Sequence, residues 1–175
     1  MSIENNNVAP NQLICRKTGE LIQKEKGLNP VEVLNDDTCR QLIREAIHSL
    51  EYSYSPYSNF KVGAALLTKK LKIFTGCNIE NAAYSPTNCA ERTAFFKAVS
   101  EGIKEFKAIA IVGGKEGIIT DYCPPCGVCR QVMMEFCDPK SFLVIVAKSE
   151  EDYWIYSLED LLPMGFGPSQ LILDK

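Results

Sequence analysis

Between Asp36 and Leu50, apolar side chains recur at steps of three and four residues, at Leu42, Ile43, Ala46, Ile47 and Leu50. That period marks one face of a helix packed against a core, and Asp36 or Asp37 is the residue type that caps its start. The pattern then changes. A stretch of turn formers and aromatics from Tyr52 to Phe60 leads into the apolar run Lys61 to Thr68, which reads as a buried strand. Lys69-Lys70 makes a turn, and Lys72 to Cys77 returns as a second strand of an antiparallel hairpin. Helical spacing resumes through Ala94, Phe95, Phe96, Ala98 and Val99 and stops at Gly102. Phe106 to Gly113 is again β-type, and Gly113, Gly114 and Gly117 mark the loop after it. Pro124-Pro125 place the start of a helix from Cys126 through Arg130, Val132, Met133, Phe136 and Cys137. Phe142 to Ala147 is apolar throughout, as expected of a central strand covered on both faces. Tyr153 to Tyr156 is a last strand, Ser157 caps a short helix over Leu158 to Leu162, and Pro163 ends it. Helices interleaved with about five strands predict an α/β protein, a three-layer α/β/α arrangement around a mixed sheet.

The first 35 residues do not fit this rhythm. Leu13, Ile14, Leu21 and Ile22 flank a polar stretch from Arg16 to Glu20 and suggest a short hairpin, which Asn29-Pro30 would end. The expected organisation is an N-terminal extension over 1–35, its role unassigned, and one domain over 36–175.

Composition narrows the classes of function. A chain of 175 residues with 46 % hydrophobic content suits a single core. A net charge of −3 without a basic run lacks the electrostatic footprint that holds a polynucleotide, which favours a small substrate and argues against nucleic acid. The polar start, with Glu4 and the asparagines at 5–7, is unlike a signal peptide. No apolar run approaches the roughly 18 residues of a membrane span. Eight cysteines in such a chain suggest a reducing, cytoplasmic setting, where cysteine more often serves metal binding or catalysis than disulfides.

The chemistry concentrates at Asn88-Cys89-Ala90-Glu91-Arg92. Asn88 is a good N-cap, so Cys89 falls in the first helical turn, where the helix dipole favours a thiolate. Arg92 is three residues on and can donate to the sulfur. The same letters admit a blander account, since Asn88 with Glu91 matches a capping box whose carboxylate merely satisfies a backbone N–H. Cys126 and Cys129, three apart at a second helix start, can hold one ion between them. With Cys89 they make three thiolates and leave a fourth tetrahedral position for water, the pattern of a catalytic zinc. Cys123, Cys77 or Cys137 as a fourth ligand would instead make a structural site. His48 has no second ligand-type residue at helical spacing and reads as a structural histidine. Asn78 and Glu80, if the strand continues past Cys77, project to one side, an amide and a carboxylate suited to sugar hydroxyls or simply to solvent.

Cys89-Ala90-Glu91 together with Pro125-Cys126-Gly127-Val128-Cys129-Arg130-Gln131 resembles the signature of the zinc-dependent cytidine deaminases in their three-cysteine form. Tyr54 to Leu67, Thr75 to Tyr84, and the tail around Leu161-Leu162-Pro163 and Phe166-Gly167-Pro168 are also similar to that family, so the likeness runs over roughly residues 36–170. Residues 1–35 have no counterpart in it, and Ser85-Pro86 stands where a glycine-containing loop is expected. The resemblance implies Zn²⁺ on Cys89, Cys126 and Cys129, with Glu91 carrying protons between a zinc-activated water and the pyrimidine. It implies that Arg92 offsets the charge of three thiolates. It assigns Asn78 and Glu80 to the ribose, Phe60 and the Ala90 backbone to the nucleoside, and Tyr84 and Phe166 to contacts across subunits of a homotetramer. The implied reaction is hydrolytic deamination of cytidine and deoxycytidine to uridine and deoxyuridine in pyrimidine salvage. Two rivals are a deaminase of another aminated pyrimidine nucleoside and a non-catalytic structural zinc or interaction protein. The Asn78–Glu80 pair weighs against the first, and Glu91 against the second.

Overall fold

The computed structural model describes the backbone of residues 15–17 and all of residues 34–171. The proposed hairpin around 13–22 falls outside the described residues apart from its strand-forming segment. Among the described residues, six strands and four α-helices follow in the order β1 (Cys15–Lys17), α1 (Asp36–Ser49), β2 (Phe60–Thr68), β3 (Ile73–Cys77), α2 (Ala90–Ser100), β4 (Phe106–Lys115), α3 (Gly127–Phe136), β5 (Leu143–Ala147), β6 (Asp152–Ser157) and α4 (Leu158–Leu161). They build one mixed sheet ordered β1-β6-β5-β4-β2-β3, in which only β4 and β5 are parallel neighbours. The expected mixed sheet is present, with β1 added at its edge through antiparallel pairing of Cys15 with Trp154.

Residue alternation in the central strands explains why they are apolar throughout. Ala64 and Leu66 of β2, Ile109 and Ile111 of β4, and Val144 and Val146 of β5 face one core, shared with Ala94, Phe95 and Ala98 of α2 and Met133 of α3. Ala65 and Leu67, Ala108, Ala110 and Val112, and Leu143, Ile145 and Ala147 face the other, closed by Leu42, Ile43 and Ala46 of α1. Period-two alternation therefore sends both residue sets into packed interiors, the condition for a strand with no polar side. The helices on both faces make the predicted three layers.

Two caps differ from expectation by one residue. Asn35, not Asp36 or Asp37, caps α1, its side chain accepting from the Thr38 N–H at 2.8 Å, while both aspartates lie in the first turn. Cys89, not Asn88, is the N-cap of α2, and its side chain makes no capping bond. Asn88 is instead held in an isolated bridge with Ile79, and its amide donates to the Thr93 hydroxyl at 3.1 Å. His48 lies exposed on α1, 3.7 Å from Glu51 and edge-on to Tyr52.

The topology positions a site. β3 and β4 both run antiparallel to β2, which separates them, so they point the same way and end at the same edge. Chain leaving β3 leads to α2, and chain leaving β4 leads to α3, so both helix N-termini come back to the carboxyl ends of parallel strands, where open α/β sheets bind ligands. The seat of α2 depends on Gly76, since a Cβ there would lie 2.3 Å from the Ala90 oxygen and 2.6 Å from the Ala94 nitrogen. Gly76→Ala is therefore expected to lift the first turn of α2, cost about 1–3 kcal/mol by overpacking, and lower zinc occupancy along with the melting temperature. Calorimetry and metal analysis of the same preparation check this; an unchanged zinc content would refute the coupling.

Candidate active site

Cys89 reaches the site as the cap of α2, Cys126 as the cap of α3, and Cys129 three residues later in the first turn of α3. Their sulfurs lie within 4.8 Å of one another, with Cys89 and Cys126 3.8 Å apart and Cys126 and Cys129 3.4 Å apart. The Cys129 backbone N–H donates to the Cys126 sulfur at 3.4 Å, so the helix start itself supplies charge relief. Cys123, Cys77 and Cys137 do not join this group among the described residues. Cys77 donates to the Tyr52 oxygen, and Cys137 sits at the opposite end of α3 from the sulfur nest. Among the described residues the fold assembles three sulfurs, not four.

Arg92 closes the nest from the α2 side. Its Nη2 donates to the Thr87 oxygen at 3.0 Å and to the Cys89 sulfur at 3.6 Å. Cys89 is pulled down to about 5 by a hydrogen bond from Cys129 above all, burial opposing, with Arg92 and Cys126 adding to the drop. Cys129 moves the other way, held protonated by that same bond to Cys89 and by burial. Burial pulls the Arg92 guanidinium down, but the Cys89 sulfur beside it more than compensates and raises it. Glu91 is 4 % exposed, and its carboxyl is raised by burial, with a smaller push from the Cys89 charge. With Cys89 as the cap, Glu91 is the second helical residue and no capping box forms at this helix start.

Asn78 and Glu80 both reach toward the segment from Ser53 to Val62. The Asn78 oxygen accepts from the Ser53 hydroxyl at 2.5 Å and the Val62 N–H at 2.8 Å, and its amide donates to the Phe60 oxygen at 2.8 Å. Glu80 accepts from the Tyr57 and Ser58 N–H groups at 2.9 and 3.3 Å, and hydrogen bonding, led by the Ser58 hydroxyl, lowers its carboxyl. Ala90 is fully buried, whereas Phe60, Tyr84 and Phe166 are exposed. The Tyr84 ring stands 6.1 Å from that of Tyr57. Four polar residues escaped the sequence analysis as organisers of this site. Arg130 donates to the Pro125 and Leu161 oxygens, and Gln131 to the Phe166 oxygen, tying the cysteine loop to the tail. Ser53 fixes the Asn78 amide, and the Thr93 hydroxyl ties the start of α2 to the Cys77 oxygen at the end of β3. Apart from the Pro125 oxygen, their partners are carbonyls and an amide far off in the chain, so no spacing along the chain announces them.

The model of the cytidine and deoxycytidylate deaminase zinc-binding region matches residues 36–145. The chain belongs to this deaminase family. A cytidine deaminase of Sporosarcina psychrophila is 50 % identical over 131 residues, covering 75 % of this chain and 93 % of that protein. A probable cytidine deaminase of Dictyostelium discoideum is 45 % identical over 140 residues, with 79 % and 90 % covered. Among solved structures, the cytidine deaminase of Burkholderia pseudomallei superposes with a TM-score of 0.66 at 48 % identity, covering 72 % of this chain and 97 % of that one. The family is one of zinc-dependent enzymes, and the sulfur nest fits the ion: a tetrahedral centre with Zn–S near 2.3 Å spaces its sulfurs by about 3.8 Å. Two of the separations measured here are 3.8 and 3.4 Å, and three soft donors leave the fourth position open.

In the metal-free protein, Cys89 ionises far below the ordinary thiol value of about 8.5. Its folded-state value is the depressed one. The stability it lends is therefore complete above that ordinary value and lost as pH falls through about 5. Arg92→Gln should move this ionisation upward and narrow the window. Titration followed by thiolate ultraviolet absorbance reads it directly, and an unmoved midpoint would remove Arg92 from the account.

Proposed function

We propose that the chain hydrolyses cytidine and deoxycytidine to uridine and deoxyuridine with release of ammonia, as part of pyrimidine salvage. The observation that carries this reading is the buried Glu91 carboxylate, in the first turn of the helix that Cys89 caps. Cys89, Cys126 and Cys129 would hold the zinc, which would supply the Lewis acidity for adding water to C4 of the pyrimidine at neutral pH. Glu91 accepts one proton of that water and hands it to N3, then takes the second from the oxygen now on C4 and delivers it to the exocyclic amine as the C4–N bond breaks and the C4 carbonyl forms. Burial raises its carboxyl above the ordinary carboxylate range, which favours the acid form it needs when it gives up a proton.

Three thiolates around a dication leave a net negative centre, which by itself would make the water a poor acid. Arg92 and the N-termini of α2 and α3 withdraw that charge. Asn78 and Glu80 are assigned to the ribose hydroxyls, Phe60 and the Ala90 backbone to the nucleoside. The hydrogen bonds of Asn78 to Phe60 and Val62 support this by fixing the strand that carries the ring. Tyr84 and Phe166, 74 % and 56 % exposed in one chain, support a homotetramer in which neighbouring subunits complete each other's sites. Three sulfurs that must stay reduced to hold the ion support a cytoplasmic location. No helix among the described residues is long and apolar enough to cross a membrane.

Glu91→Gln is expected to keep its zinc and lose on the order of 10²–10⁴-fold in kcat, the usual contribution of a general acid–base group. The ultraviolet change on adding cytidine measures the rate, and a variant retaining most of its activity would exclude the proton-carrying role. Sedimentation of the zinc-loaded protein should give four times the 19.5 kDa of one chain; a monomer with full activity would exclude shared sites.

A further inference from the structure

The reaction leaves the Cys123 thiol without a task, although it stands beside the groups that perform it. Cys123 is half-buried in the loop between β4 and α3 and lies outside the three-sulfur group. Gly113 of β4 turns toward the face occupied by α2 and α3, two residues beyond Ile111, which packs in that core. A Cβ at Gly113 would come 2.8 Å from the Cys123 sulfur and 3.1 Å from Cε1 of Phe60. The missing side chain thus opens a notch that the thiol and the ring fill together. The thiol also senses the charges of Glu91 and Cys89. Burial first, then the charges of these two groups, push it up to about 11, so at neutral pH it is a small, uncharged, apolar surface. Cys123 therefore packs at the notch over Gly113 beside the ring assigned to the nucleoside, within range of the charges of Glu91 and Cys89.

We propose that Cys123 is a specificity-determining residue of the pyrimidine pocket, its side-chain volume limiting which substituents on the ring are accepted. The inference rests on the deaminase reading above. A thiol is smaller than a branched aliphatic side chain, so the pocket wall it forms stands back from the ring. Shrinking it further enlarges the pocket there, and lengthening it closes the notch shared with Phe60.

The test compares cytidine with 5-methylcytidine and 6-methylcytidine, which place one methyl on either open carbon of the ring. Zinc-loaded native protein, Cys123→Ala, Cys123→Ser and Cys123→Leu are assayed, with zinc content and oligomeric mass confirming that each is assembled. Cys123→Ala should raise kcat/KM for at least one methylated substrate relative to cytidine by about tenfold or more, the scale on which a hydrophobic pocket resolves one carbon. Cys123→Leu should lower the same ratio by a similar factor, and Cys123→Ser, close in volume, should leave it near native. A merely structural role changes all three substrates alike, and that result overturns the proposal. A serine variant that shifts the ratio as far as alanine does overturns it too, because the effect would then belong to the thiol and not to its volume. Native protein that binds zinc but leaves cytidine untouched would overturn the deaminase reading and this inference with it.

Discussion

Crowding three sulfurs within 4.8 Å of one another is the constraint on which the rest of this structure turns. Thiolates at that separation repel, and the repulsion grows in a half-buried site where the effective dielectric falls below that of water. The protein answers with fixed positive charge. Two helix N-termini converge on the sulfurs, Arg92 donates to Cys89, and the Cys129 N–H donates to Cys126. The divergent behaviour of the sulfurs shows how far this goes without an ion. Cys89 is drawn down to about 5 while Cys129 is held protonated, so these two sulfurs share one negative charge across their hydrogen bond. A dication removes the need for that proton, which is why metal binding at such a site releases protons and weakens as pH falls.

The sheet supplies the geometry that this chemistry requires. Because β3 and β4 end at the same edge, their following helices begin side by side, and neither has to be distorted to bring its cysteines in. Close packing then fixes the height of α2. Gly76 lets the Ala90 and Ala94 backbone come down onto β3, and the Thr93 hydroxyl bonds to the Cys77 oxygen below and accepts from the Asn88 amide above. Those contacts locate Cys89 and Glu91 by locating the backbone on which both sit, and the core of Ala94, Phe95 and Ala98 holds that backbone still.

Much of this was legible in the letters. Helices and strands with long, regular periods, such as Leu42 to Leu50 and Phe142 to Ala147, fall where the pattern puts them, because their burial is what the pattern records. The spacing of Cys126 and Cys129 pointed to the sulfur group because the helical step that makes residues three apart neighbours needs no tertiary information. What could not be read is local competition. Asn88 is an excellent cap by type, yet its backbone is taken by Ile79 and its amide by Thr93, so the helix begins one residue later. Asn35 precedes two aspartates that are equally good caps, and the sequence cannot rank them. A strand of three residues such as β1 carries too little pattern to place: the apolar pairs around 13–22 suggested a short hairpin, and nothing in them pointed to pairing with β6. Arg130, Gln131 and Ser53 act on groups far away in the chain, which only the fold brings within reach.

Arg92 shows which demand prevails when stability and chemistry conflict. Its Nη2 is drawn between the Thr87 oxygen and the Cys89 sulfur, and in that pose Nε is buried with no hydrogen-bond partner among the described residues. An unsatisfied buried donor costs about 1–3 kcal/mol, and more where the group is charged. A neutral residue at position 92 would relieve that cost and leave the sulfur nest with nothing but helix ends to balance it. The guanidinium also stays charged at any pH at which the enzyme works, which a lysine or histidine in a half-buried pocket would not guarantee. The strained donor is therefore intelligible as the consequence of holding a permanent cation beside Cys89, the position from which it can act on the sulfur nest and on the charge that Glu91 feels.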